Sequence, residues 1–247
     1  MNWEGIYAIW LRDLKAMFRE RSRLYGSIMR PILWLIIMGN GLRPAMQQGL
    51  GIEYTQFIFP GVLGMTLIFS AIQSATSIIW DREFGFLREV MVAPITRGSI
   101  VLGKALGGST QATVQGMITL LFAPLVGIYP SPFQILRIIL LMFLIAFSLT
   151  SLGILIASRM TSFEGFGAIS NFVVMPMYFL SGSIYPLNGL PLWLKTLTLI
   201  NPLSYGVDVM RGEIIHLYHF SLSTDLLAIS LFGAVMLSLA IPLFNKS

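Results

Sequence analysis

The sequence predicts an all-α integral membrane protein with six transmembrane helices and an N-terminal amphipathic interface helix. Only 11% of the 247 residues are charged, compared with about 25% in soluble domains. The mean hydropathy is +0.78, which is too apolar for an ordinary water-exposed surface. The apolar residues also fall in long runs, several of which reach the roughly 20 residues that a helix needs to cross a bilayer. These observations favour a helical bundle in a membrane over a globular core in water.

Residues 1–22 form the predicted interface helix. Trp3 and Trp10 belong to a set of apolar residues at the 3–4 spacing of one helix face. The basic residues of the opposite face are Arg12, Lys15 and Arg19. A helix with aromatic side chains on one face and basic side chains on the other is typical of the headgroup region of a membrane. An ordinary helix packed on a soluble core is the alternative interpretation.

The six predicted spans follow this helix along the chain. They cover residues 24–41, 57–79, 105–127, 135–157, 165–182 and 226–244. Arg30 lies near the start of the first span, so its guanidinium is expected to reach the interface or to pair with another group. Residues 183–225 hold apolar pieces that are too short to cross the bilayer.

The distribution of basic residues predicts the orientation of the spans. With the N-terminus inside, 12 of the 16 Lys and Arg residues fall in inner segments. The outer segments hold Arg43, Arg137, Lys195 and Arg211. Cytoplasmic loops carry such an excess of positive charge, so we expect a multi-pass protein of a prokaryotic cell (inner) membrane with both termini in the cytoplasm. The net charge of +5 follows this topology and does not indicate a nucleic-acid partner.

Residues typical of catalytic and metal sites do not form a convincing set. The chain has no cysteine, which excludes disulfides, thiol nucleophiles and thiolate metal sites. Residues 98–105 nearly match a phosphate-binding loop, but Ala105 stands where the Mg²⁺-binding hydroxyl is required. His216 and His219 lack a third metal ligand. We therefore predict no metal, no cofactor and no catalytic residue in this chain. The scarcity of charge within the spans also argues against an ion pump or a proton-coupled transporter.

Two uncharged polar stripes run along the second and third predicted spans. Their candidate residues are Thr66, Ser70, Gln73, Ser77, Gln111 and Gln115. In each stripe the residues recur at intervals of three or four, so they share one helix face. Gly103 and Gly107 add a motif for close helix approach. Two interpretations remain open: hydrogen-bonded packing between helices, or the lining of a substrate path or dimer seam.

The segment 81–94 is the longest charged stretch between predicted spans. It mixes charges that exclude a span with apolar side chains typical of a docking surface. The candidate docking residues are Glu83, Phe84, Gly85, Phe86, Leu87, Glu89, Met91 and Pro94. A short amphipathic helix that docks on a partner is one interpretation, and a loop helix packed on its own bundle is the other.

Three groups of residues carry a resemblance to a known family. The first is Phe59-Pro60-Gly61-Val62. The second is Glu83-x-Gly85-x-x-x-Glu89, Ala93-Pro94-Ile95 and Leu102-Gly103-Lys104. The third is Leu180-Ser181-Gly182, Tyr185-Pro186, Leu190-Pro191-x-Trp193-Leu194, Asn201-Pro202-Leu203-Ser204-Tyr205 and Asp208-x-x-Arg211. In this order and spacing they resemble the type-2 ABC-transporter permeases, a group that includes daunorubicin-resistance and nodulation-factor export permeases. The resemblance covers essentially the whole chain.

The resemblance implies one transmembrane domain, residues 1–247, that works in the lipid bilayer as a homodimer. Two copies of a separate ABC ATP-binding subunit would pair with it, and ATP and Mg²⁺ would bind to that subunit. By the same resemblance, residues 81–94 hold a coupling helix and residues 1–22 make a second cytoplasmic contact. Residues 184–204 would form short re-entrant helices at the outer face, before the last span.

The residues and the resemblance together predict the membrane-spanning permease subunit of an ATP-driven exporter. It would move an amphipathic drug- or lipid-like substrate out of the cytoplasm by alternating access. A lipid-linked polysaccharide export permease is the alternative. An ATP-independent channel or scaffold is less favoured. An intramembrane enzyme such as a lipid transferase would need clustered acidic, His or Cys residues at membrane depth, and the sequence does not supply them.

Overall fold

The computed structural model describes residues 2–19, 21–46, 51–84 and 95–244, with the side chains of residues 21–28 excepted. Within these ranges all regular structure is helical. The helices are α1 (Trp3–Arg19), α2 (Arg21–Gly41), α3 (Arg43–Met46), α4 (Tyr54–Ser74), α5 (Thr76–Glu83), α6 (Arg97–Leu120), α7 (Pro132–Ala157), α8 (Phe163–Phe179), α9 (Leu192–Ile200), α10 (Pro202–Ile215) and α11 (Leu222–Phe244). The all-α prediction is confirmed.

Polar side chains start several of the helices. The Thr96 side chain accepts from the backbone N–H of Ser99 at the start of α6. Ser131 and Gln134 form a reciprocal capping box at the start of α7. Asn201 caps α10, where Pro202 occupies the first turn. Each cap binds backbone N–H groups that would otherwise lack a partner, so these helix starts follow from local sequence.

Helix α4 lies at the centre of the bundle. Nearly all of its residues are buried, and α2, α6, α7 and α10 pack around it. Gly64 lets α10 approach closely, because a Cβ atom at this position would lie only 2.8 Å from a methyl group of Val207. Because other helices surround α4, small residues are needed where those helices cross it.

Three helices are long and apolar enough to cross a membrane. They are Tyr54–Glu83, which joins α4 and α5, Pro132–Ala157 and Leu222–Phe244. These correspond to the second, fourth and last predicted spans. The other predicted spans correspond to α2, α6 and α8. Length and composition do not by themselves establish that these three helices cross a membrane. The chain is a helical membrane protein, and the count of six spans stays a prediction.

Two helical segments have bounds that differ from those of the predicted regions. The third span, expected at residues 105–127, is helical from Arg97 to Leu120, because Thr96 caps it early. A short 3₁₀ turn at Ala123–Val126 follows, and it ends at Gly127 in the left-handed conformation. The outer region expected at residues 184–204 begins with turns, and its second short helix, α10, continues to Ile215. Helix α10 is largely buried and packs against α4.

Candidate functional site

Lys104 is the centre of a charge cluster at one end of the bundle, which we call the Lys104 end. Its Nζ lies 2.6 Å from a carboxylate oxygen of Asp81 and 3.4 Å from one of Asp13. It also donates to the hydroxyl of Ser77 at 2.9 Å. Arg12 completes the cluster, since its guanidinium lies 2.7 Å from Asp81 and 3.0 Å from Asp13. Two cations and two carboxylates therefore join α1, α5 and α6.

Burial makes this pairing necessary. The Lys104 side chain is only 4% exposed, and a buried charge without a partner is strongly destabilising. Burial by itself lowers the pKa of Arg12, but its hydrogen bond to Asp81 and the charges of Asp13 and Asp81 more than offset this effect, so the pKa is raised. The two carboxylates thus stabilise the charged form of Arg12.

Helix α1 packs along α6 through the predicted close-approach motif. A Cβ atom at Gly103 would lie 2.9 Å from Cβ of Ile9, and one at Gly107 would lie 3.1 Å from Cβ of Asp13. The indole N–H of Trp10 donates to Thr110 at 3.1 Å. These contacts favour the packing interpretation of this motif, and they hold the predicted interface helix against the bundle.

The exposure of side chains on α1 differs in part from the apolar and basic faces predicted for this helix. Ile6 and Met17 of the apolar set are buried, whereas Trp3 is 72% exposed. Lys15 and Arg19 are exposed, as expected for a basic face. Arg12 is an exception, because its ion pairs turn it towards the bundle. Its role could not be predicted from helical spacing, since its main partner, Asp81, is distant along the chain.

The described part of the predicted coupling segment begins with aromatic and carbonyl contacts. Arg82 donates to the carbonyl oxygens of Ser158 and Met160, in the turn between α7 and α8. The Phe84 ring stacks on Trp80 at 5.0 Å between centroids, and Glu83 and Phe84 are both exposed. The predicted docking residues Gly85, Phe86, Leu87, Glu89, Met91 and Pro94 lie outside the described residues. The entry to this segment is therefore anchored to α7 and α8.

The two polar stripes meet where α4 and α5 pack on α6. The hydroxyls of Thr66 and Thr119 lie 3.3 Å apart, and Ser77 accepts from Lys104. Gln115 is buried, and Gln73 is exposed. Two further stripe residues, Ser70 and Gln111, each have a buried polar atom without a hydrogen-bond partner. Thr66 and Ser77 thus contribute to packing, whereas a substrate path or dimer seam along the stripe stays a prediction.

The opposite end of the bundle, which we call the Arg211 end, holds charges that the sequence did not single out as buried. Arg211 is 3% exposed, donates to the carbonyl of Gly182 at 2.8 Å and lies over the ring of Phe57 at 4.1 Å. Asp208, one turn earlier on α10, accepts from the backbone N–H groups of residues 219 and 220. The spacing Asp208-x-x-Arg211 was the available signal, but it did not reveal which groups the side chains bind.

Motif residues from distant parts of the chain come together at the Arg211 end. A Cβ atom at Gly61 would lie 2.9 Å from Cα of Ser183, so the start of α4 packs against the turn after α8. The Asn201 amide donates to the carbonyl of Met177 at 2.6 Å. Arg211, assigned to an outer segment by the charge distribution, is buried because α10 inserts between α4 and α11, and the side of the membrane stays a prediction.

Comparison with known proteins identifies the family. Residues 4–215 match the model of the ABC-2 type transporter. This chain belongs to the ABC-2 type transporter family. The putative transport permease ycf38 of Cyanophora paradoxa is 32% identical over 236 residues, which is 92% of this chain and 79% of that protein. The resemblance found in the sequence is confirmed.

Two bacterial relatives are less similar in sequence, but their matches to this chain are also long. The inner membrane transport permease YadH of Escherichia coli (strain K12) is 25% identical over 243 residues, covering 96% of this chain and 90% of that protein. Nodulation protein J of Rhizobium leguminosarum bv. viciae is 25% identical over 218 residues, covering 85% of this chain and 81% of that protein. The match to the ABC-2 type transporter family thus extends over nearly the whole chain.

Proposed function

We propose that this chain is the membrane-spanning permease subunit of an ATP-driven exporter. Its family supports this assignment, as does its similarity to proteins named transport permeases. The residues that nearly match a phosphate-binding loop lie inside helix α6, and Lys104 is bound to carboxylates. A helix cannot wrap its backbone N–H groups around a phosphate as such a loop does. ATP hydrolysis is therefore assigned to a separate subunit.

The Lys104 cluster is the observation that carries the coupling part of the proposal. The predicted coupling segment leaves α5 just after Asp81 and re-enters the bundle at α6. Asp81 and Lys104, on either side of that segment, are bonded to each other and to α1. Further support comes from Arg82, which binds the turn between α7 and α8. A displacement of the segment would therefore act on four helices at once.

The proposed assembly is a homodimer of this chain with two ATP-binding subunits. Six spans place both termini in the cytoplasm, and the Lys104 end faces the ATP-binding subunits. Closure of these subunits on ATP would move the coupling segment and switch the bundle between inward-open and outward-open states. The proposed substrate is an amphipathic drug- or lipid-like molecule, exported from the cytoplasm.

The test is the substitution Glu89→Lys in the coupling segment. We expect fewer ATP-binding subunits to co-purify with the variant and ATP-dependent transport in vesicles to fall, while membrane insertion stays normal. Glu164→Lys is the matched control, because Glu164 is an exposed carboxylate in the first turn of α8. Normal co-purification together with normal transport by Glu89→Lys would show that the coupling assignment is wrong. Transport that persists without ATP would instead indicate a channel.

A further inference from the structure

Arg30 is a cation in the middle of a helix with no carboxylate partner among the described residues. Its guanidinium lies 4.6 Å from the centre of the Phe69 ring on α4, and its side chain is exposed. Such a cation–π contact is a weak interaction. It positions the charge but does not neutralise it.

The contact with Phe69 shows how far along the bundle axis this charge lies. Phe69 lies near the middle of the 30-residue helix Tyr54–Glu83. At 1.5 Å per residue, each end of that helix is about 20 Å away, whereas the hydrocarbon core of a bilayer is about 30 Å thick. In a bilayer centred on this candidate span, the guanidinium would lie near mid-membrane. Of the two outcomes expected for Arg30, the structure shows a pairing, the cation–π contact with Phe69, and the distance of Arg30 from the interface stays a prediction.

The chain itself has no carboxylate at this depth to pair with Arg30. No Asp or Glu occurs in residues 21–52, 54–80, 97–163 or 165–207. Asp208, which follows, is bound to the backbone of residues 219 and 220. A second copy of the same chain has the same distribution, so dimerisation does not supply a counter-ion either. Among the described residues Arg30 therefore has no counter-ion, and a molecule from outside the protein would supply one.

The surroundings of Arg30 suit a molecule with a polar head and an apolar chain. Gln73 lies one turn beyond Phe69 on the same helix, with an exposed amide side chain. On α2, the exposed side chains of Leu33 and Ile37 continue along the face of Arg30 at the 3–4 spacing. A cation and an amide beside an apolar strip match an anionic headgroup followed by a hydrocarbon tail.

We propose that Arg30 binds the oxyanion headgroup, phosphate or carboxylate, of an amphipathic anionic substrate inside the membrane. A charge facing hydrocarbon at the helix centre is energetically unfavourable, so ionisable residues at this depth commonly line substrate paths or water-filled cavities. The planar guanidinium of arginine binds such oxyanions through two parallel hydrogen bonds. The inference rests on the proposed transport function and names the class of substrate.

A binding measurement can test this site without the ATP-binding subunit. Trp34 lies one turn from Arg30 and packs edge-on against Tyr178 of α8 at 6.0 Å. In a variant whose other four tryptophans are replaced by phenylalanine, Trp34 fluorescence reports on this region. The probes are a dodecyl phosphate and a dodecyl maltoside, each brominated in mid-chain, added to the full chain in phosphatidylcholine nanodiscs. We expect saturable quenching by the phosphate probe and only non-saturable quenching by the maltoside probe.

Substitution of Arg30 then decides the role of the guanidinium. Arg30→Gln should weaken binding of the phosphate probe at least tenfold, and Arg30→Lys should weaken it less, because the charge remains but the fork of donors is lost. Lys195→Gln removes a positive charge from an exposed side chain of α9 and should leave binding unchanged. Equal binding by Arg30→Gln would overturn the proposal. Absence of saturable phosphate binding in the parent protein would also overturn it. Arg30 would then pair with the lipid phosphates of the bilayer rather than with a substrate.

A second readout separates failure of this site from failure of the exporter function. In the complex with the ATP-binding subunit, alkyl phosphate should stimulate ATP hydrolysis more than alkyl maltoside does, and Arg30→Gln should abolish the difference while co-purification stays normal. Loss of probe selectivity at Trp34 with intact ATP-driven transport of other compounds would overturn the site alone. Selective binding at Trp34 without ATP-driven export would overturn the transport function on which the substrate assignment rests, and leave only an anion site.

Discussion

The Lys104 end and the Arg211 end both bury charge, but their charges are stabilised by different partners. In the Lys104 cluster, Arg12, Asp13, Asp81 and Lys104 each have an oppositely charged partner, and the pairs cross between α1, α5 and α6. At the Arg211 end, Arg211 and Asp208 bind backbone carbonyl and N–H groups in the turns after α8 and α10. Ion pairs between helices can exchange partners when helices move, whereas bonds to a turn fix its conformation. The difference suggests a movable joint at one end and a rigid frame at the other.

The largest effect is expected from Arg211→Ala. The substitution leaves the Gly182 carbonyl without its buried donor and removes the contact with Phe57, so we expect a loss of about 3 kcal/mol in the free energy of unfolding. Thermal unfolding in detergent measures the change. Arg43→Ala is the control, because Arg43 and Glu53 form an exposed pair whose loss costs about 1 kcal/mol or less. Equal stability of the two variants would contradict a rigid frame at the Arg211 end.

An intermediate effect is expected from a double-mutant cycle on Lys104 and Asp81. Lys104→Met, Asp81→Asn and the double variant should give a coupling free energy of about 1–3 kcal/mol, because the two groups are in contact and Lys104 is buried. The same cycle with Lys15→Met in place of Lys104→Met should give no coupling, since Lys15 is exposed on the other side of α1. Unfolding midpoints at matched protein concentration supply the four values. A coupling free energy near zero in the first cycle would show that the ion pair between Lys104 and Asp81 does not hold these helices together.

The smallest effect is expected at the glycine contact between α1 and α6. Gly103→Ala would place a Cβ atom 2.9 Å from Cβ of Ile9 and 3.0 Å from the Ile6 carbonyl oxygen, which should cost about 1–2 kcal/mol. Gly98→Ala on the same helix meets no atom within 4 Å and should not destabilise the protein. Limited proteolysis of the N-terminal helix reports whether α1 separates. If both variants behave alike, the charge cluster rather than close packing holds α1 in place.

Part of this arrangement could be predicted from local sequence alone. The apolar runs predicted the helices α4, α7 and α11, and the motif around Gly103 predicted a close helix contact. The distribution of Phe59-Pro60-Gly61 and the later motif pieces predicted the family. These features are readable because hydropathy, helix spacing and capping depend on residues close together along the chain.

The rest could not be predicted, because it depends on which helices are neighbours. Asp208 and Arg211 were recognised as a spacing, but their backbone partners lie in turns that local rules do not place. The packing of α10 between α4 and α11 was not predicted either, because it depends on which helices are neighbours. Helix propensity is a weak guide wherever tertiary packing supplies most of the stability.

The sequence by itself determined that this chain is a helical membrane protein of a transporter family, because composition and the order of motifs are properties of the sequence alone. It also supplied the basic residues whose distribution predicts orientation. Only the tertiary structure decided that Lys104 joins α1, α5 and α6 in one charge cluster, and that Arg30 reaches Phe69 at the middle of a spanning helix. The physical reason is that the energy of a charge in a membrane depends on its depth and its partner, and both are set by how distant segments pack.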